Sequence, residues 1–159
     1  MKKMIRIAVY NHKGGIGKTT IAAHLAYLAV DLNIRSIATC IDPQADLFRW
    51  LTSGDGVPKD GAFYDLGSLT VVYSRGVVPN FTDNVAELLI IDCSPDIDLS
   101  LQLKPDLWIV PVHGRMGFEN MSSVIEATVV HELPVATDTM AQAMQAAKRK
   151  MVGLSILSP

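Results

Sequence analysis

The sequence predicts an α/β fold, a mostly parallel twisted sheet with helices on both faces. Three observations predict it. A glycine-rich loop at residues 11–17 stands between a β-rich run and a run of helical periodicity. Continuous apolar runs of the kind found in buried parallel strands occur at Glu87 to Cys93 and at Asp106 to Val112. Segments of helical pattern alternate with these runs, the order that βαβ crossovers produce.

Met4 to Tyr10 reads as the first strand, ending at the glycine-rich loop. Lys18 to Leu32 follows as a helix, with Ile21, Leu25, Leu28 and Leu32 at helical spacing as its expected buried stripe. Ile34 to Ile41 is a second strand, interrupted by Asp42-Pro43, and Ala45 to Leu51 fits a short helix. From Thr52 to Asp83 glycine and proline punctuate the chain, and only Leu69 to Tyr73 reads as a strand. After the two apolar runs, Gly117 to His131 and Thr139 to Lys150 read as helices and Met151 to Leu157 as a last strand. No repeat, low-complexity tract or long linker divides the chain, so residues 1–159 are expected to form a single domain.

Composition narrows the class. Of 159 residues, 49% are apolar and 19% charged, which excludes a disordered chain short of apolar area. Two cysteines exclude a disulfide-stapled scaffold, and Cys40 and Cys93, in or beside apolar runs, read as reduced buried thiols of a cytoplasmic protein. A net charge of −2 provides no global field for nucleic acid or an anionic membrane. No run reaches the roughly 18–20 apolar residues of a membrane span. The basic start Met1-Lys2-Lys3-Met4 has no apolar h-region behind it, so no signal peptide is expected, and with no span either the expectation is no membrane partner.

The segment that carries chemistry is Asn11-His12-Lys13-Gly14-Gly15-Ile16-Gly17-Lys18-Thr19-Thr20. It follows a strand and opens a helix, as a phosphate-binding loop must. Glycines without Cβ let successive backbone N–H groups turn onto an anion, and the helix N-terminus adds partial positive charge. Lys13, Gly14, Gly15, Ile16, Gly17, Lys18, Thr19 and Thr20 are therefore the candidate nucleotide-binding residues. Lys18 can reach the β- and γ-phosphates, and the Thr19 hydroxyl can ligate Mg²⁺. The strict pattern G-x-x-x-x-G-K-[ST] fails at its first position, where His12 stands, and an additional lysine, Lys13, sits near the start of the loop. Asp92, at the end of a buried strand, is placed to hold a metal-bound water. Asp42, ending another strand, is a candidate to orient the attacking water and to share the metal site. Taken alone, Asp42 is also a turn former before proline. His12 and His24 read as structural.

With these residues in hand, the chain resembles the ParA/MinD deviant-Walker ATPases, and within them the small partitioning ATPases. Three motifs carry the resemblance: the loop at 13–20 with Lys13 as the signature lysine, Cys40-Ile41-Asp42-Pro43-Gln44-Ala45-Asp46, and Leu88-Leu89-Ile90-Ile91-Asp92-Cys93-Ser94-Pro95. Ile109-Val110-Pro111-Val112 is a weaker fourth. The resemblance implies a P-loop NTPase fold, ATP and Mg²⁺ as cofactors, and slow hydrolysis stimulated by a ParB-like or other partner. It also implies an ATP-dependent homodimer in which Lys13 acts catalytically on the partner's nucleotide. The cargo would be DNA or another particle. ATP over GTP rests on the resemblance alone.

The chain departs from the family in being short after the strand matching Met151 to Leu157, where further helices usually follow. No amphipathic C-terminal helix supports a MinD-like membrane anchor. Lys148-Arg149-Lys150 is either a solvated helix end or a nonspecific DNA patch to which Arg115 contributes. Cluster-ligating cysteines of the nitrogenase iron-protein kind are absent. Two other functions fit the same motifs: a nucleotide-binding regulator with little hydrolysis, and a P-loop metabolic enzyme of the dethiobiotin-synthetase type.

Overall fold

The computed structural model describes residues 3–111, except 78, 97, 100, 101 and 103, together with the backbone of residues 151–152. In chain order the elements are β1 (Ile5–Val9), α1 (Lys18–Asp31), β2 (Ser36–Cys40), α2 (Asp46–Thr52), β3 (Phe63–Asp65), β4 (Leu69–Tyr73), β5 (Leu88–Asp92), β6 (Leu107–Ile109) and β7 (Met151–Val152). They form one sheet in the order β3-β4-β2-β5-β1-β6-β7. Every neighbouring pair is parallel except β3 with β4.

Register is what builds the site. Val9 of β1 pairs with Asp92 of β5, and Asp92 pairs with Cys40 of β2. Three adjacent strands therefore finish at one level, and the loops that leave them converge on the carboxyl edge of the sheet. That edge is where open α/β sheets bind ligands. The run of buried residues along β2 and β5 makes slippage costly, because a shift of one residue would exchange the two faces.

Both described helices pack on the same face. There Val9, Ala38, Val71 and Ile90 meet Ala22, Ala23 and Ala26 of α1 and Leu47 and Leu51 of α2. On the opposite face Ala8, Tyr10, Ile37, Leu89, Ile91 and Trp108 are buried, with Phe81 and Leu99 packed against them. Residues 117–131 and 139–150, read as helices, lie outside the described residues, as do Arg115, Lys148-Arg149-Lys150 and the last strand beyond residue 152. Cys40 and Cys93 are buried thiols that form no disulfide, as expected, and burial pushes the Cys40 thiol up to about 12.

Two local readings are corrected. The stripe of α1 that faces the sheet is Ala22, Ala23, Ala26 and Ala29, whereas Leu28 and Leu32 are 52% and 61% exposed. Ile21 and Leu25 pack only at the margin of the core. Small side chains let the helix lie close to the sheet, where leucine at the same points would hold it away. The second correction is β3, a three-residue antiparallel strand inside the glycine- and proline-punctuated stretch where only Leu69 to Tyr73 is expected to be a strand. Its turn is made by Asp65, whose carboxylate accepts the Gly67 N–H at 2.9 Å, and by Gly67 at φ 83°. By contrast, β4 has the bounds read from the sequence.

Candidate functional site

The loop from Asn11 to Gly17 leaves β1 and turns into α1 without a capping side chain. Gly17 is the N-cap at φ 91°, a left-handed conformation, and no side chain bonds the first amides of the helix. Those donors are orphans that an anion can satisfy. A Cβ built on Gly14, Gly15 or Gly17 would meet nothing within 4 Å, so the loop borders open space where a ligand can approach the backbone. Asn11 fastens the loop at its base. Its Oδ1 accepts the Lys13 N–H at 2.8 Å and its Nδ2 donates to the Pro111 carbonyl at 2.9 Å. Lys18 is buried and its ammonium donates to the Lys13 carbonyl at 3.0 Å, which folds the side chain over the loop.

Opposite the loop stands Asp92. Its Oδ2 accepts the Thr19 hydroxyl at 2.9 Å across 73 positions of sequence. Its Oδ1 is buried and has no hydrogen-bond partner among the described residues. Burial pushes the carboxyl up to about 7, and the charge of Asp42 adds to this, while the Thr19 bond and Lys18 act the other way. When ionised, so dry a carboxylate with one oxygen unbonded is unfavourable, and a cation or a cation's water could offset that cost.

Asp42 lies at the turn after β2. Its Oδ1 accepts the Gln44 N–H at 2.9 Å and its carbonyl accepts the Ala45 N–H at 3.0 Å. The turn-forming reading of Asp42 is what these bonds show, and the turn leaves the residue on the cleft wall. The cleft has a volume of about 450 Å³. Gly14, Gly15, Gly17, Lys18, Thr19, Thr20, Asp42, Gln44, Asp46, Trp50 and Pro95 line it.

Of the residues singled out from the sequence, the fold brings together the glycines, Lys18, Thr19, Thr20, Asp42 and Asp92. Lys13 is exposed on the rim and Ile16 is half-buried, and neither lines the cleft. His24 is exposed, its Nδ1 2.7 Å from the Thr20 carbonyl. Asp46 and Trp50 were not chosen as site residues. They are four apart on α2 and so share one helix face, which the Asp42-Pro43-Gln44 turn aims at the loop. Asp46 is also paired with Arg49. Among the described residues no group of three or more His, Cys, Asp or Glu side chains is disposed to hold a metal ion by itself. That suits Mg²⁺, which keeps several waters and takes most other ligands from phosphates. No described helix is long and apolar enough to cross a membrane.

Residues 7–137 match the family model for the CobQ/CobB/MinD/ParA nucleotide binding domain, which is well over half of the chain. The chain belongs to this family. Its mostly parallel sheet with the glycine-rich loop at the end of β1 is the P-loop NTPase fold of the family's solved members. Over 64 residues the chain is 42% identical to the chromosome-partitioning ATPase Soj of Thermus thermophilus, a stretch covering 40% of this chain and 24% of Soj. The chain thus spans about a quarter of that relative. Among solved structures, a plasmid partition protein from Borrelia burgdorferi bound to AMPPNP superposes with a TM-score of 0.62 at 18% identity, covering 98% of this chain and 88% of that one. Cobyrinic acid a,c-diamide synthase from Mycobacterium smegmatis, with a bound ATP analogue and magnesium, gives 0.67 at 18% identity, over 92% and 80%.

Proposed function

We propose that this family member binds Mg-ATP in the cleft, dimerises on binding it and hydrolyses it slowly under the control of a partner protein, in the partitioning or positioning of DNA or another cargo. The observation that carries this reading is the pairing of an uncapped glycine-rich helix start with the Thr19–Asp92 bond beneath it. Phosphates would lie on the backbone donors of 14–20 and against the Lys18 ammonium. Thr19 and Asp92 would hold Mg²⁺, Asp92 through a water on its free Oδ1, with Asp42 close by. When bound, the metal would neutralise charge between the β- and γ-phosphates.

The chain's own residues then have distinct tasks. Lys18 and the loop amides bind, and the buried wall formed by β5 excludes water from their back. Asp42, fixed by its bonds to Gln44 and Ala45, orients the attacking water. Lys13, exposed on the rim, is free to reach across to a second copy. Partition relatives such as Soj support the cellular role, and nucleotide-bound neighbours support the ligand.

The test is a calorimetric titration of Mg-ATP into the parent chain and into Lys18→Ala, with phosphate release measured alongside. Removing the ammonium leaves phosphate charge uncompensated in a buried loop, so binding should fall by at least about a hundredfold. Equal affinity in both proteins would refute the phosphate-site reading. Turnover that stays flat when a centromere-binding partner is added would remove the partition role while leaving the nucleotide site intact.

A further inference from the structure

The residue that follows β1, at the entry to the phosphate loop, is a tyrosine that the reading above leaves unused. Tyr10 is 2% exposed, and its ring stands edge-on to Trp108 with centroids 6.0 Å apart and planes at 87°. Its hydroxyl donates to the carbonyl of Pro95 at 2.9 Å. Pro95 lines the cleft across from the glycine-rich loop, in the segment that leaves β5 after Asp92.

We propose that Tyr10 is a positioning residue for turnover, its hydroxyl anchoring Ser94-Pro95-Asp96 to the end of β1 and so fixing the cleft wall that faces the nucleotide. This inference rests on the nucleotide reading proposed above. Three features support it. The ring needs no hydroxyl to fill its place against Trp108, so packing alone would be met by phenylalanine. Within the segment the Asp96 N–H donates to Ser94 Oγ at 3.3 Å, and the Asp98 and Leu99 N–H groups donate to Asp96 Oδ1 at 2.9 and 3.2 Å. They shape the turn, whereas the tyrosine bond spans 85 positions and ties the turn to the sheet. Burial, with the charges of Cys93, Asp96 and Asp98, pushes the phenol up to about 12, so it remains a donor at working pH.

The same strand end thus fastens two loops. Asn11 holds the phosphate loop and the Pro111 carbonyl, and Tyr10 holds the segment after β5. A wall held from the strand beside the phosphates cannot drift independently of them, and near-attack geometry is sensitive to shifts of about an ångström.

Tyr10→Phe keeps the ring and its contact with Trp108, and water can replace the hydroxyl at the exposed Pro95, so the variant should melt close to the parent. In the nucleotide-free full chain, amide exchange at Asp96 should quicken by up to about tenfold, the worth of one hydrogen bond. The kcat for Mg-ATP should fall by about tenfold, with KM and ADP affinity within about twofold. Unchanged exchange and unchanged kcat in the variant would overturn the role of Tyr10 alone. A kcat that falls only in step with ADP affinity would show a general loss of structure and overturn it too. A parent chain that binds no nucleotide, or does not turn it over, overturns the proposed function and this inference together.

Discussion

Replacing Asp92 by asparagine should stabilise the metal-free, nucleotide-free protein, and by an amount that depends on pH. Burial lifts the Asp92 carboxyl from 3.8 to about 7. A gap of about three pH units, at about 1.4 kcal/mol each, makes the ionised group about 4 kcal/mol less favourable in the native than in the unfolded chain. The sign follows from proton counting. Between about pH 4 and pH 7 the native state holds the proton more tightly, so stability falls as pH rises through this window. Above about pH 7 the whole penalty is present, and below about pH 4 it is gone. Asparagine is neutral throughout, and its Oδ1 can still accept the Thr19 hydroxyl. Like a protonated carboxyl, it leaves a donor without a described acceptor where Oδ1 of Asp92 now stands. The variant's advantage should therefore approach about 4 kcal/mol near pH 8 and shrink below about 2 kcal/mol near pH 5. Urea unfolding of both proteins with a chelator present, at the two pH values, measures it. Taking the difference between proteins cancels the opposite contribution of Asp106, whose carboxyl is lowered overall, chiefly by the hydrogen bond from Lys3 against the opposing effect of burial. A difference independent of pH, or a variant less stable near pH 8, would refute the claim that Asp92 stores this penalty for a cation. The same variant should lose the Mg²⁺ dependence of nucleotide binding, because its neutral amide no longer attracts the metal's water.

Other substitutions separate the roles further. Asp42→Ala should bind ATP like the parent but release phosphate at least about a hundredfold more slowly, trapping any ATP-dependent dimer; parent-like turnover would assign the water to another residue. Lys13→Ala should keep ADP affinity, since its side chain lies outside the cleft, and lose ATP-dependent dimerisation. Light scattering with Mg-ATP at several protein concentrations checks this, and equal dimerisation by both proteins would end the trans-lysine mechanism. Ala26→Leu should cost about 1–3 kcal/mol by overpacking the helix–sheet contact, while Leu28→Ala, on the exposed side, should cost under about 1 kcal/mol. Denaturant midpoints that reverse this order would restore the leucine stripe as the buried face.

What was legible in the sequence depended on the range of the information. The phosphate loop could be read because its chemistry lies within ten consecutive residues, and β4 because an apolar run is bracketed by glycines. The pairing of Thr19 with Asp92 is of another kind. It joins positions 73 apart, and although the chemistry of each residue points to a metal, no spacing in the sequence shows that the two side chains touch. Strand β3 escaped because three exposed residues carry no alternation, its one signal being the Asp65-Leu66-Gly67 turn. The misread face of α1 is more instructive. Hydrophobic periodicity weighs large side chains, yet the helix is seated by alanines. Those small residues bear on the site directly, because a helix brought close to the sheet carries its first turn close to the strand ends. Thr19 stands in that first turn and Asp92 at the end of β5, 2.9 Å apart. Four buried alanines on α1 are thus as much a part of the candidate metal site as its two polar residues. Ala26→Leu should therefore weaken Mg²⁺-dependent binding by more than its cost in stability alone would suggest.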